Sequence, residues 1–399
     1  MGTNKKYSGY KAYQYLEKGK DYKEFSLAKE IERVESYKVP LSRSEEERVA
    51  DIAEKYIVVS LHDHPVALTD DMGDVFDYNR EGRHVTAYKG LSTSCLDAVF
   101  DNLMDGICTI TSKRGWKWND VLYDLGMRLC DLAHQDFVIQ CRKVADIVKA
   151  HNKGRIAVIP TVEGSAMIEN EVDRIDILYG FGVKMMGLVY SESNALGSGL
   201  KEEKDGGLTY FGHEAVERMN KIGMAIDVSH CGDVTSLDAI EASRLPVFIT
   251  HAGARALNDI NRLKPDDVLH ACAEKGGVIG IEAAPHTTIT ERHPEHTIES
   301  VMEHFEYTQE LVGIDHVGFG PDTLYGDHVA LHHAFVEHLS IQQAFTHHEE
   351  VEYVKGMENP TEASWNIIRW LVKYGYSDEE IEKVIGQNAL RVLKKVWAE

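Results

Sequence analysis

A chain of 399 residues is long enough to bury a large core, as one α/β barrel with extensions or as two smaller domains. Lys and Arg number 43 against 65 Asp and Glu, a formal charge of −22. That balance argues against nucleic acid and anionic membrane as partners and leaves small molecules as the expected ligands.

In chain order, residues 1–55 are charged and read as a helical N-terminal extension, with Ser42-Arg43-Ser44-Glu45 offering a capping box. The stretch from Met1 to Tyr7 has no apolar core of signal-peptide length, and no later apolar run is long enough to span a membrane, so a cytoplasmic location is expected. Residues 56–399 are expected to form a single domain. There, short Val- and Ile-rich runs alternate about eight times with longer amphipathic stretches, the rhythm of a TIM-like (β/α)8 barrel.

The pattern predicts strands over 57–64, 106–111, 156–163, 183–190, 224–230, 247–251, 278–282 and 317–322. Helices are predicted over 212–222 and 265–275, and two C-terminal closing helices over 364–397, the second capped by Ser377 with Glu380. A doubly wound sheet is the rival fold, but its first βα turn should be Gly-rich, where this chain carries His-Asp-His-Pro. Six cysteines (Cys95, Cys108, Cys130, Cys141, Cys231 and Cys272) lack CxxC spacing and read as reduced, packed thiols.

The first predicted strand ends in Val58-Val59-Ser60-Leu61-His62-Asp63-His64. Alternate side chains of a strand share a face, so His62 and His64 can grip one metal ion, and Pro65 is expected to stop the strand just beyond them. Glu163, Tyr190, His230, His251 and Asp322 terminate later strands. In a barrel all of these ends converge on one mouth. Four imidazoles and a carboxylate there suit two borderline-soft divalent ions, zinc before others, with Glu163 placed to bridge them. Two ions about 3.5–4 Å apart can hold a bridging hydroxide and clamp the oxygens of a hydrolytic transition state.

Taken singly, each residue has an ordinary role: a strand-end histidine is usually hydrogen-bonded structure, and Asp322 after Gly320-Pro321 is a turn or cap aspartate. The order His-x-His, Glu, His, His along successive strands is what makes a ligand set of them. Beside such a hydroxide, Asp322 could take the nucleophile's proton and deliver it to a leaving amine. Arg262 is by default a solvated charge, yet on the loop after His251 it could fork onto a substrate carboxylate. His328, His332, His333, His347 and His348 are read as a solvated or lid-forming loop rather than an auxiliary metal site.

Several longer pieces accompany these residues: Val162-Glu163-Gly164, Gly207-Leu208-Thr209-Tyr210-Phe211-Gly212, Ile226-Asp227-Val228-Ser229-His230, Thr250-His251-Ala252, Asp315-His316-Val317-Gly318-Phe319-Gly320 and Tyr353-Val354-Lys355-Gly356-Met357-Glu358-Asn359-Pro360. With them the chain resembles, from residue 56 onward, the membrane dipeptidase (renal dipeptidase) family of zinc peptidases among the amidohydrolase-like barrels. The resemblance implies Glu163 bridging two zinc ions, His62 and residue 64 completing one ion and His230 and His251 the other. It also implies Arg262 on the substrate carboxylate, Asp322 handling the proton and the substrate amine, and a homodimer. Two positions depart from the family. His64 stands where the family has aspartate, and Tyr190 stands where it has a histidine that contacts the substrate carbonyl and oxyanion.

A phenol can still donate one hydrogen bond to an oxyanion but cannot carry positive charge. The expected activity is that of a metallo-dipeptidase, hydrolysing dipeptides or similar small carboxylate-bearing amides by a metal-bridged hydroxide. Two alternatives stay open: lactone, cyclic amide or N-acyl amino acid hydrolysis on the same dinuclear site, and a non-catalytic binding protein on a degenerate barrel.

Overall fold

The computed structural model describes residues 4–103, 116–338 and 351–397. Its strands are β1 (Val59–Ala67), β2 (Val85–Thr86), β3 (Ala98–Leu103), β4 (Val138–Gln140), β5 (Ile156–Val162), β6 (Met185–Gly187), β7 (Ala225–Asp227), β8 (Phe248–Ala252), β9 (Val278–Ile281), β10 (Val317–Phe319) and β11 (Leu324–Tyr325). One sheet runs β10-β9-β8-β7-β6-β5-β3-β1-β11, with parallel pairing at every step. The predicted strand over 106–111 lies outside the described residues, and the strand between β1 and β5 is β3, which the sequence pattern does not single out.

The sheet curls into a barrel. Val59 and Leu61 of β1, Phe100 of β3, Ile159 of β5, Met185 of β6, Phe248 of β8 and Val278 of β9 share one buried cluster. Phe100 and Phe248 lie with ring centroids 6.5 Å apart although three strands separate β3 from β8, so they meet across an interior. The two ends of the sheet join through backbone hydrogen bonds from Asp322 N to His62 O (2.9 Å) and from His64 N to Thr323 O (2.8 Å). The alternate side chains, among them Ile249 and Ile279, face a second apolar layer shared with the surrounding helices.

Helix Asn388–Val396 packs Ala389, Leu393 and Val396 against the interior cluster, so the chain's last helix plugs the end opposite the strand C-termini. Its predecessors are Pro360–Lys373, capped by Asn359, and Asp378–Glu382, whose capping box at Ser377 forms as the sequence indicates. Two glycines let the strands close up on the site. A Cβ on Gly280 or Gly320 would lie 1.9 or 2.0 Å from the carbonyl oxygen of Thr250.

Three expectations change. The N-terminal extension is helical only over Arg43–Lys55, and residues 4–42 are turns and isolated bridges. Tertiary anchors outweigh local propensity there: Tyr10 Oη and the Tyr13 amide both donate to Asp131 at 2.7 Å, and Lys5 pairs with Asp97 at 2.7 Å, each contact buried. Strand β1 continues through Pro65 to Ala67. The prolyl ring costs no ladder bond, because the residue just after β2 reaches it through its carbonyl, which accepts from Ala87 N at 3.0 Å. The histidine-rich segment begins as helix His328–His338 rather than loop, while His347 and His348 lie outside the described residues. The cysteines at 95, 130, 141, 231 and 272 are not disulfide-bonded, and all are buried except Cys130.

Candidate active site

Strand β1 delivers His62 and His64 to the mouth, both 2% exposed. Glu163 follows β5, Tyr190 and His230 stand three residues beyond β6 and β7, His251 lies within β8, and Asp322 follows β10. Asp322 has φ 58°, the left-handed region that aspartate tolerates better than most residues, and this turn directs its carboxylate back at the β1 histidines. Its Oδ1 lies 3.3 Å from His62 Nε2 and 3.1 Å from His64 Nε2.

Glu163 Oε1 is the hub. It stands 2.9 Å from His230 Nε2, 3.4 Å from His251 Nε2 and 3.7 Å from His62 Nε2. The two groups His62-His64-Asp322 and Glu163-His230-His251 each converge tightly enough to hold an ion. His62 and His251 stack with centroids 3.4 Å apart, so the two groups are contiguous.

Outer contacts fix the imidazole tautomers. His64 Nδ1 lies 2.9 Å from the Asn102 carbonyl, which can only accept, so Nδ1 carries a proton and Nε2 is the nitrogen that faces the mouth. Thr250 Oγ1 donates to Asp227 Oδ2 at 2.6 Å and therefore accepts from His251 Nδ1 at 2.8 Å, leaving Nε2 as the inward lone pair. Asp227 also accepts from the amides of Ser229 and Thr250, both at 3.0 Å.

The electrostatics follow from burial and pairing. Burial holds His230 and His251 well below the usual imidazole range, so both are neutral donors. Burial pushes Glu163 up to about 8, with His64 opposing it. Burial also works against a charged His64, yet Asp322 outweighs it and raises His64 to about 9. Against its own burial, Asp322 is held well below the carboxylate range by His62 and His64. Two buried atoms, Glu163 Oε2 and His230 Nδ1, have no hydrogen-bond partner among the described residues. Converging imidazole lone pairs around a carboxylate with an unused oxygen match the donor chemistry of a divalent ion of zinc type.

The remaining predicted residues lie on the rim. The Tyr190 ring stacks on His230, 4.4 Å between centroids. Arg262 donates from Nη1 to the His251 carbonyl at 3.2 Å and forms an ion pair with Glu282, the residue just after β9. Arg262 therefore already has a carboxylate, and it belongs to the protein. Burial pushes Glu282 up to about 7, with Arg262 pulling the other way.

Asn102, Thr250 and Glu282 carry contacts that sequence reasoning did not assign. Glu282 had the signal that exposes Glu163, a carboxylate ending an apolar run, whereas a lone Asn or Thr has none.

A parallel barrel with imidazoles and a central carboxylate at its strand ends defines an amidohydrolase-type metal site. The chain belongs to the membrane dipeptidase family (Peptidase family M19), whose model matches residues 46–346. It is 28% identical over 276 residues to the dipeptidase tcpJ of Claviceps purpurea, covering 68% of this chain and 58% of that protein. Against the curated dipeptidases of Aspergillus oryzae and Clonostachys rogersoniana the shares are 60% and 59%, so the chain spans about three fifths of the length of these relatives.

Among solved structures, an amidohydrolase from Pseudomonas aeruginosa superimposes with TM-score 0.71 at 25% identity over 88% of this chain and 99% of that one. A metallo peptidase from Rhodobacter sphaeroides, liganded with a phosphinate mimic of the dipeptide L-Ala-D-Ala, has the same fold, with TM-score 0.65 at 18% identity over 86% and 99%.

Proposed function

We propose that this protein is a zinc-dependent hydrolase of the amide bond in dipeptides or similar small carboxylate-bearing amides, working with two ions. The observation that carries the proposal is Glu163 Oε1 within 3.7 Å of three imidazole nitrogens from three strands, with His64 and Asp322 alongside. The dipeptidase relatives support the choice of substrate.

His62 and His64 would hold one ion and His230 and His251 the other, with Glu163 shared between them. Bound ions supply Lewis acidity for the scissile carbonyl and an activated water nucleophile. The side chains do the rest. Asp322, held as an anion between His62 and His64, takes the proton of the attacking water and returns it to the leaving amine. Tyr190, braced on His230, donates its phenolic hydrogen to the developing oxyanion. Arg262 orients the acid end of the substrate. With His64 in place of aspartate, this pair would offer the first ion one negative ligand fewer and would hold it less tightly.

The test is amine release from a panel of L,L- and L,D-dipeptides beside N-acyl amino acids and lactones, using protein whose zinc content has been measured. Turnover of dipeptides is expected. Silence on every dipeptide from fully metallated protein would overturn the proposal and move the search to other amides and esters.

A further inference from the structure

Arg262 and Glu282 meet at the mouth from different loops. Arg262 follows β8 and Glu282 follows β9, and their side chains are 10% and 0% exposed. Among the described residues the ion-pair partner of Glu282 is Arg262, and the guanidinium also spends Nη1 on the His251 carbonyl. A buried carboxylate held this way is not displaced cheaply, because freeing it leaves an unpaired charge inside the barrel. A substrate carboxylate approaching Arg262 therefore meets a cation already neutralised, with a like charge directly behind it.

We infer that Glu282 is a specificity-determining residue, which cancels most of the charge of Arg262 so that the site accepts small amides with an uncharged acid end alongside free dipeptides. Glu282 acts through Arg262 and touches no reacting atom, so it is a positioning residue. The substrate class is thereby widened, resting on the amide-hydrolase reading above, from free dipeptides to dipeptide amides and esters.

The experiment compares kcat/KM for one dipeptide and its C-terminal amide at pH 8, where Glu282 is charged, on zinc-loaded full-length protein. In the wild type the ratio of acid to amide is expected to lie within tenfold of one. Glu282→Gln should raise that ratio at least tenfold through a lower KM for the free dipeptide, with kcat for the amide changed less than twofold. Glu282→Asp, which keeps the charge, should return the ratio towards the wild-type value.

A wild type that already prefers the free acid by more than a hundredfold would overturn the inference, whether or not the variants fold. An unchanged ratio in well-folded Glu282→Gln would do the same. Should metallated wild type hydrolyse neither compound, the amide-hydrolase reading fails. The inference is then judged by calorimetric Kd values for a phosphinate dipeptide mimic and its C-terminal amide, with the same ratios expected.

Discussion

Replacing Thr250 by valine removes one hydroxyl and almost no volume, and it isolates the contact that sets the His251 tautomer. In the native site that hydroxyl accepts from His251 Nδ1 at 2.8 Å and donates to Asp227 at 2.6 Å. Asp227 keeps three other donors, the amides of Ser229 and Thr250 and the Ser229 hydroxyl, so its loss is cushioned. His251 is fully buried, and its Nδ1 would be left without this acceptor. Removing such an outer partner of a metal-binding histidine costs about 10–100-fold in metal affinity. That is about 1.4–2.8 kcal/mol, in line with about 1–3 kcal/mol for stranding a buried polar group. Competition of the metal-free protein against a chromophoric chelator would measure it, with circular dichroism reporting the fold. Zinc affinity within twofold of wild type in a normally folded Thr250→Val protein would refute the tautomer argument.

Tyr190→Phe keeps the ring on His230 but removes the donor, so turnover should fall by about 10–100-fold with zinc content unchanged; equal turnover would remove Tyr190 from the mechanism. Glu163→Ala should lose both activity and bound metal, and full activity in that variant would exclude a shared carboxylate. Asp131→Ala strands Tyr10 Oη, Tyr88 Oη and the Tyr13 amide. It should lower stability by about 3 kcal/mol in urea unfolding, and a loss under about 1 kcal/mol would show that the N-terminal segment contributes little.

The site was more legible than the frame around it. His62-x-His64, Glu163, His230 and His251 each end an apolar run, and a barrel gathers such ends whatever the loops between them do. Strand β3 escaped because Asp101 and Asn102 interrupt its apolar pattern. Those side chains find partners inside the fold, Asp101 in Arg128 and Asn102 in Thr161 Oγ1 at 2.6 Å, pairings with no local signature. The turns of residues 4–42 escaped for a related reason, since their tyrosines are ordered by Asp131, more than a hundred residues away. Pro65 misled because proline ends a strand only where its missing N–H is needed. The pairing of Arg262 with Glu282 depends on two loops lying side by side, which single residues do not announce.

Zinc titration of the metal-stripped protein, following amine release from a dipeptide it turns over, tests the dinuclear site most directly. Activity should be absent without metal and should rise to a plateau at two equivalents of zinc per chain. Full activity in the metal-free protein, or a plateau at one equivalent, would contradict two ions sharing Glu163.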